Sequence, residues 1–214
     1  MAVVLTATLA NAQSNQKGTI HLNVIGGFLA GSGSSQSDAP ESPKEDYSAA
    51  GGQFGVNFQY GIADSFSAGI GLEFGTTVLT SNNYDALNFN IYDPNYDPYG
   101  DFYDPSISTF KIILSGRYYF LNKDKFNLFA SPSIGYTSGK ESLDFAGLGL
   151  GSSIKYSGLN YGINAGGNYY FTDRVGVILN LGYEGNSLKA TASGETGELS
   201  VGGVKVMAGL ALKF

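Results

Sequence analysis

Asp93, Asn95, Asp97, Asp101 and Asp104 stand at positions 1, 3, 5, 9 and 12 of a spacing inside the segment Y-D-P-N-Y-D-P-Y-G-D-F-Y-D-P. Oxygen donors so spaced suit a hard divalent cation such as calcium, which takes carboxylate, carbonyl and water oxygens. Position 6 of a calcium-binding loop needs glycine for its sharp turn, and Pro98 occupies it here. A calcium site in this segment would therefore need another geometry. The competing reading is that the Asp-Pro pairs initiate turns and the acids keep the segment solvated. Tyr84, Tyr92, Tyr96, Tyr99 and Tyr103 offer a second chemistry in the same stretch. Tyrosine presents a large, amphipathic contact area at low entropic cost, so these residues suit recognition of an extracellular ligand or matrix.

Catalytic chemistry is poorly supplied. His21 is the only histidine, and it has no sequence-local nucleophile and acid to complete a triad. There is no cysteine, hence no thiolate metal site and no disulfide framework. The run G-I-G-L-E-F-G from Gly69 to Gly75 lacks the spacing and the following helix that phosphate binding requires. The chain is not expected to be an enzyme, and no cofactor is expected beyond the calcium considered above. A net charge of −6 excludes a nucleic-acid partner, which asks for a basic stripe.

The elements that would carry these groups are strands. Only 14% of the residues are charged, against about 25% in soluble domains, while Tyr and Phe bring the aromatic share to 14%. Alternation of apolar and polar residues marks eight segments: about 19–30, 52–62, 66–78, 108–120, 126–138, 155–171, 175–184, and from about 199 to the end. In the last of these Val204, Val206, Ala208, Leu210, Leu212 and Phe214 point one way, and Lys205, Met207, Gly209, Ala211 and Lys213 the other. In water, such a two-faced strand ending on Phe is an exposed edge. It is stable where it closes a barrel with lipid outside and a polar interior. Each segment is near the length, about 9–11 residues, that a tilted strand needs to cross a bilayer.

Connections alternate in length. Residues 63–65, 121–125 and 172–174 are short polar turns, whereas 31–51, 79–107, 139–154 and 185–198 are long. The pattern predicts an all-β, eight-stranded, antiparallel, up-and-down transmembrane barrel with three short periplasmic turns and four longer extracellular loops. A soluble sandwich would mimic part of it but would need to pair its apolar faces in a core. Tyr60, Phe66, Tyr118, Tyr119, Phe120, Phe126, Tyr169, Tyr170, Phe171 and Phe214 cluster beside the short turns or the end of the chain, as an aromatic girdle should. Residues 1–12 read as the remnant of a secretory signal peptide, with Ala10-Asn11-Ala12 as the cleavage site, and 13–214 as the barrel.

The strand pattern, the turn entries R-Y-Y-F-L-N and Y-Y-F-T-D and the terminal A-L-K-F resemble the small outer-membrane β-barrel proteins of Gram-negative bacteria, the group that includes the OmpA membrane domain, OmpX and OmpW. The resemblance covers essentially the whole of 13–214. It implies residence in the bacterial outer membrane among its lipids, and assembly there by the barrel-assembly machinery with Phe214 as the signal. Members differ in their loops, so it implies little about activity. Some carry a peptidoglycan-binding domain after the barrel; with the sequence ending at Phe214, none is expected here.

Such a barrel has an interior just wide enough to be filled by side chains. The inward set is small and polar, rich in Gly and in Asn57, Asn127, Asn160, Asn164, Asn168 and Asn180. Its charges are expected to pair: Glu73 with Lys111 and Arg117 on the next strand, Glu184 with Lys205. Two functions follow. One is a structural and surface-interaction barrel acting through acidic, Tyr-rich loops (Tyr92, Asp93, Asn95, Tyr96, Asp97, Tyr99, Asp101, Tyr103, Asp104). The other is a narrow, porin-like channel for ions or small solutes.

Overall fold

The computed structural model describes residues 13–37, 44–81, 106–142, 153–192 and 195–214. They form β1 (Ile20–Ser37), β2 (Glu45–Ala63), β3 (Phe66–Ser81), β4 (Ser106–Asn122), β5 (Phe126–Ser142), β6 (Ser153–Tyr170), β7 (Val175–Ala192) and β8 (Glu195–Lys213). Every strand pairs antiparallel with its sequence neighbours, and β1 with β8 closes the barrel. The short connections lie at one end, where Ser14 N donates to Lys123 O at 2.9 Å and Gly18 N to Gly61 O at 2.8 Å. The leading segment thus tucks under the barrel before β1 begins. Residues 1–12, and with them the signal-peptide reading, lie outside the described residues.

Over the half of the barrel next to the short turns the outward residues are apolar, and the interior combines buried polar groups with one apolar cluster. Phe54, Leu72, Leu114, Ile163 and Leu179 each leave about half their surface open, while Asn23, Gln59, Ser67 and Asn127 are buried. Phe, Leu and Ile in that state need a lipid solvent, and closure leaves no unpaired edge in it.

The strands are 16 to 19 residues long, well beyond what a bilayer requires. Three of the expected long loops are correspondingly shorter. Gly31 pairs with Ala49 and Ser35 with Glu45, so most of 31–51 is strand. Lys140 pairs with Lys155, and Ala192 with Glu195, so 185–198 is a hairpin instead of a loop. The reason lies in polarity. Beyond the membrane the alternation inverts: Ser187, Lys189, Glu198 and Ser200 face outward, while Leu188, Leu199 and Val201 are buried inside. These runs are polar because their outward residues meet water. Their backbone remains paired across the ladder.

The wall closes tightly at the β1–β8 seam. A Cβ on Gly27 would lie 1.9 Å from Val206 O, and one on Gly209 would lie 1.9 Å from Val24 O. Only glycine admits that approach.

Candidate functional site

The interior is built in layers from the short-turn end. At its floor, Ser14 and Asn15 are fully buried. Asn15 Nδ2 donates to Ala63 O at 2.9 Å and Asp64 O at 3.0 Å, and its Oδ1 lies 3.1 Å from His21 Nε2. Ser14 Oγ donates to Asn122 Oδ1 at 3.0 Å and accepts from Asn127 Nδ2 at 2.6 Å. His21 Nδ1 meets the Tyr170 hydroxyl at 2.9 Å. The lone histidine is therefore a buried structural bridge between the leading segment and β6. Its two ring nitrogens are taken by an amide and a phenol, not by a nucleophile and an acid. The sequence reading missed Ser14 and Asn15. Their only signal was the run of hydrogen-bonding residues from Gln13 to Lys17, ahead of any strand pattern.

Above the floor Ile25, Tyr119, Phe129, Tyr170, Ile178, Met207 and Ala211 form a buried apolar layer. Arg117 lies in this region, its guanidinium 4.5 Å from the Phe129 ring centre. With the Asn23 amide oxygen turned toward it, both terminal nitrogens of Arg117 donate at 3.3 Å. Among the described residues no carboxylate is within ion-pair distance of Arg117, and its Nε has no hydrogen-bond partner.

The charged layer comes next. Lys205 Nζ lies 2.6 Å from Glu73 Oε2 and 2.6 Å from Glu184 Oε2, and Lys111 Nζ contacts Glu184 Oε1. All four side chains are buried, with exposures of 3–5%. Asn186 Nδ2 donates to Glu184 Oε1 at 3.4 Å, and Thr137 Oγ1 and Asn160 Nδ2 hold Asn186 Oδ1 at 2.9 and 3.0 Å. The two carboxylates thus face two ammonium groups, the balance that buried charges need.

Two of the pairings differ from those expected. Glu73 is in register with Lys111, yet it bonds Lys205 across the lumen, and Lys111 reaches Glu184 on the far wall. In a narrow barrel, long side chains meet through the interior as readily as along the wall. Arg117 does not pair with Glu73. Its register partner is Ser67, six residues along β3, a rise of about 20 Å along the strand. Glu184 and Lys205 do meet.

Between Arg117 and the charged layer lies a cavity of about 40 Å³, bordered by Asn57, Glu73, Arg117, Ser131, Asn180 and Lys205. That is room for two or three waters. Above the charges a second apolar core of Ala49, Leu79, Ile107, Tyr156, Leu188, Leu199 and Val201 lies in the outer half, and the Tyr156 hydroxyl donates to Glu141 beside it.

Tyr92, Asp93, Asn95, Tyr96, Asp97, Tyr99, Asp101, Tyr103 and Asp104 lie outside the described residues. Phe214 stands at the short-turn end with its ring exposed, its backbone N donating to Ile20 O at 2.9 Å.

No family model matches the sequence, and no curated protein matches it. Solved structures do. The outer membrane protein OprG from Pseudomonas aeruginosa superposes with a TM-score of 0.64 at 13% identity, over 94% of this chain and 97% of that one. The chain has the fold of a bacterial outer-membrane barrel. A major outer membrane protein from Thermus thermophilus aligns with a TM-score of 0.51 and 14% identity, over 92% and 99% of the two chains. The outer membrane protease OmpT from Escherichia coli aligns at 0.46 and 13% identity, over 92% and 97%, too loosely to carry any argument. At these identities the likeness concerns the barrel and not what it does. The charged layer, the leading segment and the outer core of this outer-membrane barrel are features of its own residues.

Proposed function

We propose that this outer-membrane barrel is a closed structural and surface-interaction protein, working through its outer face and loops and not as an enzyme. One observation carries the reading. Along its axis the lumen is crossed by the Ser14–Asn15 floor, by an apolar layer, by the Glu73–Lys205–Glu184–Lys111 layer and by a second apolar core. An ion would have to displace buried side chains at each of these levels. Outer-membrane lipid is the partner the exterior implies, and the barrel-assembly machinery is proposed to read the end at Phe214. An extracellular ligand or matrix is assigned to the Tyr/Asp segment, with calcium as the ion its oxygens suit.

The refolded protein in a planar bilayer tests the closed lumen: the expected trace is silent. Deleting residues 82–104 tests the loop, with loss of ligand binding expected from a barrel that still folds. Persistent binding would overturn that part.

The channel reading keeps one specific support. The cavity beside Arg117 is polar, and both Arg117 Nε and Asn180 Oδ1 lack partners among the described residues. Discrete current steps that change in Glu73→Gln or Arg117→Ala would establish a channel and defeat the closed reading.

A further inference from the structure

We propose that Lys140, Lys155 and Lys189 form a site on the outer wall for the phosphate groups of an outer-leaflet lipid. Lys140 on β5 and Lys155 on β6 are directly opposite one another, and Lys189 on β7 is opposite Ser157, one outward step below Lys155. All three are exposed and belong to the outward-facing set of their strands. Like charges paired directly across a ladder repel, so this arrangement costs stability unless an anion lies between them. It is also unexpected in a chain of net charge −6.

What lies beneath the lysines identifies the anion. Down the outer face of β5 and β6 the opposed pairs run Lys140–Lys155, Ser138–Ser157, Tyr136–Leu159 and Ile134–Tyr161. The ladder changes from ammonium through hydroxyl to aromatic and aliphatic within three outward steps. From Phe126, at the short-turn girdle, to Tyr136 the strand climbs about 26 Å along the membrane normal at about 3.4 Å per residue and 40° tilt, the height of the apolar band. Lys140 stands roughly 10 Å higher by the same reckoning. Cations at that level meet the charged headgroups of lipids whose chains cover Tyr136, Leu159 and Ile163. Ser138, Ser157 and Ser187 add exposed hydroxyl donors beside them. Glu198 faces Lys189 from β8 and competes for it, so the Lys140–Lys155 pair is the centre of the site. A free phosphate would satisfy the charges alone, whereas a lipid phosphate also uses the apolar wall below.

The test is native mass spectrometry of the detergent-solubilised barrel, titrated separately with diphosphoryl lipid A, with the same lipid dephosphorylated, and with inorganic phosphate. The wild-type chain is expected to retain diphosphoryl lipid A best. In Lys140→Gln/Lys155→Gln its affinity is expected to fall by roughly 30-fold, about fivefold for each lysine removed. A Lys123→Gln/Lys125→Gln control, at the opposite end of the barrel, is expected to bind as wild type. Lys140 and Lys155 are exposed, so folding is preserved, and heat-modifiable mobility on gels checks this. Equal retention by the double variant, or no preference for the phosphorylated lipid, would overturn the proposal. Inorganic phosphate binding as tightly as the lipid would overturn its lipid part. Neither result depends on whether the lumen conducts.

Discussion

Replacing Lys205 with methionine removes the cation that two buried carboxylates share. Lys205 Nζ is 2.6 Å from one oxygen each of Glu73 and Glu184. At that separation and an effective dielectric of about 20, Coulomb attraction to each is roughly 6 kcal/mol, most of it offset by stripping water from the charges. The net effect appears when Lys205 is deleted, because Glu73 is then buried without a cation and Glu184 keeps only Lys111. Lys205→Met is therefore expected to destabilise the barrel by about 3–5 kcal/mol. Glu73→Gln is expected to cost about 1–2 kcal/mol, since the amide still accepts a hydrogen bond and Lys205 keeps Glu184. Together the two substitutions should be less than additive by about 2 kcal/mol, because a neutral amide in place of the Glu73 carboxylate has no charge left for the lysine to compensate. Equilibrium urea unfolding in lipid vesicles measures each corner of this cycle. The matching cycle for Glu73→Gln and Arg117→Met should show a clearly smaller coupling than the Glu73–Lys205 cycle, as the two residues border one cavity but no ion pair joins them. An additive Glu73–Lys205 pair, or a strongly coupled Glu73–Arg117 pair, would refute the assignment of partners.

Two further perturbations address the ends and the seam of the barrel. Asn15→Ala removes the side chain that joins His21 to the carbonyls of Ala63 and Asp64. It should cost about 2–3 kcal/mol in urea unfolding, through the buried groups left unsatisfied, and should open the bond after Lys17 to trypsin; unchanged stability and protease resistance would remove the leading segment from the lumen floor. Gly27→Val should abolish the heat-modifiable folded form, because its Cβ would meet Val206 O at 1.9 Å, whereas Gly52→Ala, with open space around it, should fold normally. Normal folding of Gly27→Val would mean that the β1–β8 seam can open at this level.

How much of this was legible in the sequence follows from which solvent each face meets. The membrane half could be read because lipid outside and polar groups inside impose a period of two on strands such as 204–214, and the aromatic girdle fixed the end from which to count. Above the membrane the same period persists with its sign reversed. Leu188, Leu199, Val201, Leu79 and Ile107 are inside and Ser187, Lys189, Glu198 and Ser200 outside, so a template for lipid-facing strands mistakes these runs for loops. The lumen pairs were half legible: buried charges demanded partners, a demand met among Glu73, Lys205, Glu184 and Lys111 but not by a carboxylate at Arg117, and a one-dimensional reading offers a side chain only its ladder neighbours. The interior of an eight-stranded barrel is just wide enough for side chains to fill, which is why Glu73 and Lys111 find their ion partners on opposite walls. The two facts are connected. The outward apolar band ends near the level where the outer core begins, so the charged layer sits at the change of sign, buried above a small cavity, and its groups must satisfy one another. Reversing that boundary by one outward step, with a polar residue at Tyr183 or an apolar one at Ser187, would place the wrong surface against each solvent while leaving the lumen ion pairs in place.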